Sequence, residues 1–329
     1  MASNDSPAFQ ATNLVSRTSK PHRILRLPGD GVGPEMADEA ITILSLCSID
    51  AHGTPSTDNI LQLAKSSDAI LFSAIGGPKW REYILVTNAN RGAGAIRPEA
   101  GLLTLLSLFA ILCPWKLPST SLTGISALRS EIIFGIDFVI VREDCGSAYF
   151  GQKVEEEDSA IDPWAYSRAE IERVARVAAK LACAMGREKS RVKYCDEANV
   201  LASSRLWRKV VTQLYENEFS DIKLSHQLAD SAAMLMMKAP TSFNGVVVTE
   251  NTFGDILSDV ASVVPGSLGL LPSASLGGWL GGGEKGKLMG LYEAVHRSVP
   301  GIAGKGIVNP AAMILSVAMI LKYSFGMME

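Results

Sequence analysis

Short apolar runs alternate with amphipathic stretches along most of the chain, and turn residues mark the boundaries between them. Ile24-Leu25-Arg26-Leu27-Pro28 predicts a strand entering the glycine loop Gly29-Asp30-Gly31-Val32-Gly33-Pro34-Glu35, with a helix from Met36 to about Cys47. Asp68 to Ser73 reads as a buried strand running into Gly76-Gly77-Pro78, and Phe134 to Val141 as another, ending at Arg142-Glu143. Ser167 with Glu170 three residues on is a capping signature for a helix to about Met185. Val192 to Cys195 predicts a strand, Ser203 to Tyr215 a helix, and Gly245 to Thr249 a further strand. Pro310 opens a C-terminal helix reaching Tyr323, and the glycine-rich segment 277–286 reads as a flexible loop. Strands alternating with helices imply an α/β fold with a mixed or mostly parallel sheet.

The glycine loop does not carry a dinucleotide fingerprint. Its spacing is G-x-G-x-G, Pro34 stands where the last glycine belongs, and no acid ends a second strand about twenty residues later. The two longest uncharged runs, 100–115 and 307–321, fall short of a membrane span and read as buried helices. At 329 residues the chain is long enough for two domains. A net charge of −3, with no Lys/Arg-rich block, gives no reason to expect a nucleic-acid partner. Five cysteines, widely spaced and without a CxxC pair, argue for a reducing compartment and a cytoplasmic protein rather than a disulfide or zinc framework. Residues 1–22 read as a flexible tail.

The chemistry concentrates in Thr249-Glu250-Asn251-Thr252-Phe253-Gly254-Asp255-Ile256-Leu257-Ser258-Asp259. A helix beginning near Gly254 puts Asp255 and Asp259 on one face, one turn apart. Oxygen donors at that spacing suit Mg²⁺ or Mn²⁺, with Asp230 a candidate third ligand. Spacing alone favours a solvated acidic face over a metal site.

Taken in order, the segments LPGDGVGPE (27–35), AIGGPKW (74–80), IRPEAGLL (96–103), DFVIVRE (137–143), YFG (149–151), ANVLASSRLWR (198–208), HQLADSAAM, TENTFGDILSD, PGSLGLLPSASLG (265–277), IAGKGI (302–307) and NPAAMILSVAMILKYS (309–324) resemble the isocitrate/isopropylmalate dehydrogenase family, on its isopropylmalate side. The resemblance implies a two-domain α/β fold with a mixed sheet, not a Rossmann fold. A cofactor-side domain would comprise 23–108 plus 266–329, and a dimerisation and metal/catalytic domain 109–265. It also implies oxidative decarboxylation of a small 2-hydroxy acid with NAD and Mg²⁺ or Mn²⁺, as in leucine biosynthesis, in a homodimer whose cleft the second subunit completes. The metal ligands would be Asp230, Asp255 and Asp259, with Tyr149 protonating the enolate carbon. Arg142 would grip a substrate carboxylate, while Leu102, Leu103 and Val200 would line the alkyl pocket. Asn199, Glu293, His296 and Asn309 would lie on the cofactor side. Outside the resemblance, Leu102 and Leu103 also read as ordinary core, and His296 as a loop histidine bonded to backbone.

The departures from the family pattern fall on the chemistry. Where the family has Asp-Lys-Ala-Asn-Val, this chain has Asp196-Glu197-Ala198-Asn199-Val200, so Glu197 takes the place of the lysine that drives proton removal. Two family arginines align with Leu106 and Cys113, and a cofactor-side aspartate with Gly301, next to Arg297 in a glycine's place. The chain also lacks residues between Cys47 and Asp50 that family members carry. These changes leave three readings open. The chain is an active enzyme; an impaired paralogue serving as a regulatory subunit or in a heteromer with an intact paralogue; or a dehydrogenase retuned to a less charged hydroxy acid.

Overall fold

The computed structural model describes residues 22–46, 51–52, 60–73, 103, 106–116, 120–151, 153–186, 190–278, 288–296 and 298–327. In chain order the elements are β1 (Ile24–Leu27), α1 (Gly33–Leu46), β2 (Ala51–His52), α2 (Ile60–Ser66), β3 (Ala69–Phe72), β4 (Ala110–Lys116), α3 (Ser130–Ile133), β5 (Asp137–Glu143), β6 (Val154–Glu155), β7 (Ala160–Ile161), α4 (Arg168–Ala184), β8 (Arg191–Asp196), α5 (Ala202–Glu218), β9 (Lys223–Leu228), α6 (Ala229–Lys238), β10 (Gly245–Thr249), α7 (Asn251–Ala261), β11 (Pro272–Leu276), β12 (Gly290–Ala294) and α8 (Ala311–Met319).

Ten strands form one mixed sheet in the order β2-β1-β3-β12-β11-β4-β5-β10-β8-β9. Five of them come from the two ends of the described chain and five from its middle, and the halves meet where β11 pairs antiparallel with β4. β5, β10, β8 and β9 run parallel, so their carboxyl ends open on one rim of the sheet. That rim is where an open α/β sheet presents ligand-binding groups. The parallel strands are covered on both faces, and β10 (Gly-Val-Val-Val-Thr) is buried throughout, as its unbroken apolar run requires. One face packs under α4 and α5 around Trp207 and Tyr194, the other around Trp115, Phe138 and Phe243.

Most local expectations hold with small shifts. The Ser167–Glu170 capping box forms in full and α4 runs from Arg168 to Ala184. One expectation is overturned: residues 110–115, inside the run read as a buried helix, belong to strand β4 between β5 and β11. A run apolar on both faces has no period that separates helix from strand, and pairing on both sides decides it here. The segments 74–102 and 279–287, which include Leu102 and most of the glycine-rich loop, lie outside the described residues, as do residues 1–21 and 47–50.

Candidate functional site

The site is built on the carboxyl ends of β5 and β10 and on α7, which follows β10 directly. Thr249 of β10 stands beside Arg142 of β5 in register. α7 begins at Asn251, three residues before the expected start, because the Glu250 carboxylate accepts a hydrogen bond from the Phe253 N–H at 2.6 Å and caps the helix. Gly254 lets the helix close on Arg142: a Cβ there would stand 2.6 Å from Arg142 Cγ and 2.9 Å from its Cδ. Any side chain would therefore displace the arginine.

Arg142, buried at the sheet rim, spends its donors in two directions. Nε and Nη2 donate to Asn251 Oδ1 at 2.9 and 2.6 Å, and Nη1 forms an ion pair with Asp255 Oδ1. The other Asp255 oxygen accepts from the Tyr149 hydroxyl at 3.1 Å. Burial pulls the guanidinium pKa down, but Asp144 and Asp255 more than offset it, so Arg142 stays charged. Asn251 is held in turn: its Nδ2 donates to Gly146 O at 3.1 Å and its backbone N–H to the Tyr166 hydroxyl at 3.0 Å. That hydroxyl also lies 3.1 Å from Glu250 Oε2 and 3.3 Å from Glu143 Oε2. Burial, with the Glu250 and Glu143 charges adding, pushes Tyr166 far above the usual phenol range. Asn251, Tyr166, Glu143 and Glu250 thus build the site, although motif reading had singled out none of them. Glu250 and Asn251 stood within the acidic segment, whereas Tyr166 reaches Asn251 across 85 residues, a contact no local pattern signals.

The expected metal ligands fall in two places. Asp255 is half-buried in the cluster and Asp259 is exposed one turn further along α7. Asp230 is exposed at the start of α6, and its backbone N–H donates to Glu197 Oε1 at 3.1 Å. Among the described residues of one chain, no three His, Cys, Asp or Glu side chains converge to hold an ion. Glu197 opens the turn that carries Asn199 and Val200, both exposed, with the Val200 N–H donating to Glu197 O at 3.0 Å. The turn is anchored from below by Asp196, whose carboxylate takes two hydrogen bonds from Arg208, at 2.9 and 2.6 Å.

Leu103 packs with Leu25, Phe72, Leu108 and Leu291 in a small core cluster. Cys113 lies two residues along β4 from Ile111, the cross-strand neighbour of Arg142, and so shares Arg142's face. Burial pushes its thiol up to about 12; Arg142 opposes the shift, while Glu293, Asp144 and Asp255 add to it. A neutral group therefore stands beside the arginine at neutral pH.

Glu293, His296 and Asn309 belong to the half of the sheet built from the chain ends. Glu293 is half-buried on β12, His296 is buried, and Asn309 Oδ1 accepts from the Ala311 N–H at 3.0 Å at the start of α8. The glycine loop packs against this half. Val32 N–H donates to Ser298 O at 3.0 Å, and a Cβ on Gly31 would meet that same oxygen at 1.9 Å. Glu35 binds the Gly304 N–H and, at 3.2 Å, the Gly306 N–H. The loop is a structural clasp on the 298–306 segment.

An arginine and carboxylates gathered at the carboxyl ends of parallel strands, in one mixed sheet, define an α/β enzyme scaffold. The chain belongs to the isocitrate/isopropylmalate dehydrogenase family, whose model matches residues 23–329. It is 48% identical over 334 residues to a 3-isopropylmalate dehydrogenase of Hapsidospora chrysogena, covering 93% of this chain and 84% of that one. It is 47% identical over 331 residues to that of Neurospora crassa, covering 93% and 86%. The crystal structure of isocitrate dehydrogenase from Methylococcus capsulatus superposes with a TM-score of 0.73 at 28% identity, covering 92% of this chain and 85% of that one.

Proposed function

We propose that this chain is a 3-isopropylmalate dehydrogenase-type enzyme of leucine biosynthesis, oxidising 3-isopropylmalate or a related alkylmalate with loss of its 3-carboxylate. The carrying observation is the cluster of Arg142, Asp255 and Tyr149 on the rim of the central strands. Arg142 presents a charged planar fork suited to a substrate carboxylate. Tyr149 places a hydroxyl proton beside Asp255, within reach of a carbanion formed there. Asp255 and Asp259, four residues apart on α7, offer oxygen donors that fit a hard divalent cation. Mg²⁺ or Mn²⁺ and NAD, when bound, supply charge stabilisation and the hydride acceptor. Asn199, Glu293, His296 and Asn309 would face the cofactor, and Leu102, Leu103 and Val200 the alkyl group.

Asp230 would come from a second copy of the chain in a cytoplasmic homodimer. Met234 on α6 and Ile256 on α7, two helices packed together, are 57% and 54% exposed, an apolar surface that a second copy would cover. The β6–β7 ribbon adds Val154 and Ile161, also exposed.

A second reading rests on Glu197. Its carboxylate is engaged at the start of α6, which supports an impaired paralogue acting as a regulatory or heteromeric subunit. The neutral Cys113 thiol beside Arg142 supports retuning to a less charged hydroxy acid. NADH absorbance with purified protein, Mn²⁺, NAD and 3-isopropylmalate tests the first reading, with Asp255→Asn as the control that abolishes turnover. A background rate that Glu197→Lys rescues only in part favours the subunit. Turnover of a singly charged 2-hydroxy acid alone favours retuning.

A further inference from the structure

The chain leaving β5 turns back onto α7 through residues 144–149, and a row of side-chain contacts ties it there. Gly146 O accepts from Asn251 Nδ2 at 3.1 Å, the Ser147 and Thr252 hydroxyls share a hydrogen bond, and the Tyr149 hydroxyl donates to Asp255 Oδ2 at 3.1 Å. Ser147 and Tyr149 are the two ends of one short 3-10 turn, closed by the Phe150 N–H on Ser147 O at 3.2 Å. Thr252 and Asp255 lie one turn apart on α7 and share a face. The two hydroxyl contacts are therefore rungs between the same pair of elements, and the first fixes where the second falls.

Ser147 holds a backbone conformation that a side chain disfavours. Its φ is +71°, in the left-handed region, where a Cβ is costly and glycine is the ordinary occupant. Such an outlier persists only where its surroundings over-determine it, and outliers of this kind gather at functional sites. Ser147 is 2% exposed and follows Gly146, where a Cβ would meet Tyr166 Cε1 at 2.3 Å. A glycine at 147 would make the same turn without strain. What the serine adds is Oγ, and Oγ meets Thr252. The hydroxyl, rather than the turn, accounts for a serine here.

We propose that Ser147 and Thr252 are positioning residues for Tyr149: their hydroxyl contact locks the strained turn against α7 and so holds the phenol on Asp255. The proposal rests on the reading of Tyr149 as the proton donor to the enolate carbon. A proton donor works only within hydrogen-bond reach of its target, so a phenol on an unlocked turn would deliver its proton less often. Loss of the lock should slow that step and spare substrate binding, since Arg142 keeps its own partners, Asn251 and Asp255.

Steady-state kinetics, with fluorine NMR of the full chain carrying fluorotyrosine, test it; the Tyr149 signal is assigned by its loss in Tyr149→Phe. Ser147→Gly relaxes the backbone but removes Oγ. Thr252→Val removes the partner hydroxyl at nearly constant shape, and Thr252→Ser keeps it. In Ser147→Gly and Thr252→Val, kcat should fall roughly tenfold or more with KM little changed, and the Tyr149 signal should shift or broaden. The urea midpoint of Ser147→Gly should stay near the native one, because relief of strain offsets the lost hydrogen bond. Thr252→Ser should match the native chain in both kcat and signal. Native kcat in Ser147→Gly and Thr252→Val, or a Tyr149 signal that neither variant moves, would overturn the proposal. A native chain without turnover, whose Tyr149 signal still moves in both variants, would remove the dehydrogenase reading and still support the lock.

Discussion

The Glu197 carboxylate accepts the backbone N–H of Asp230 at 3.1 Å, closing the open end of α6 from a separate turn of the chain. The helix's own N-cap residue, Leu228, has no side-chain oxygen to offer, so Glu197 satisfies one of the orphan donors of the first turn and sets its negative charge against the positive helix end. Replacing it by Ala is expected to cost about 0.5–2 kcal/mol, the usual value of a lost cap. Glu197→Gln keeps an acceptor and should lose less. Glu197→Lys should lose at least as much as Ala, because it reverses the charge at that end. Urea unfolding of the three variants checks the order. A Lys variant as stable as the native chain would sink the capping account.

Arg142→Lys keeps a positive charge but gives up the fork that reaches Asn251 and Asp255 together. Charged hydrogen bonds of this kind are worth about 1.5–3 kcal/mol, so KM for a carboxylate substrate should rise roughly ten- to hundredfold. Gly254→Ala should mimic that loss, because its Cβ would crowd Arg142 Cγ and Cδ and the Thr249 methyl at 2.6 to 2.9 Å. Steady-state kinetics of both variants measure it, and an unchanged KM in Arg142→Lys would remove Arg142 from substrate binding.

Much of this arrangement is legible in the chain where the cause is local. Gly245–Thr249 falls on its expected bounds because a β-branched apolar run between turn residues has one reading. The Ser167–Glu170 box is equally local. β4 is not legible, since Pro114 argues against an inner strand and only the neighbours β5 and β11 impose one. The carboxylates of α7 stand out by spacing, but their supports do not. Tyr166 and Glu143 act over long sequence separations, and Glu197 meets Asp230 only because β8 and β9 are adjacent. Side-chain networks of this kind are set by tertiary packing, which no window along the chain contains.

Tyr166→Phe leaves the ring packed edge-on against Trp207, with centroids 5.3 Å apart, but removes the hydroxyl oxygen that accepts the buried Asn251 N–H. An orphaned buried donor costs about 1–3 kcal/mol. The expected result is a stability loss of that size, together with a raised KM, because Asn251 holds Arg142. A loss of stability without any change in KM would reduce Tyr166 to a core contact.

Cys113, Cys145 and Cys195 are each pushed up to about 12 by burial from an ordinary thiol value of 9.0. A thiol whose pKa is higher in the folded chain than in the unfolded one favours folding as long as it stays protonated. That contribution is complete below pH 9.0 and is lost as pH climbs through about 12, because the unfolded chain releases its protons first. The urea midpoint should therefore decline as pH is raised above 9, and decline less steeply in Cys195→Ala, which removes one of the three groups. The same burial governs reactivity, since the thiolate is the nucleophile. Iodoacetamide near neutral pH should label the exposed Cys183 while leaving Cys113 and Cys195 intact until urea unfolds the chain. Peptide mass spectrometry reads the order directly, and labelling of Cys113 at the rate of Cys183 would show that its thiol is not enclosed beside Arg142.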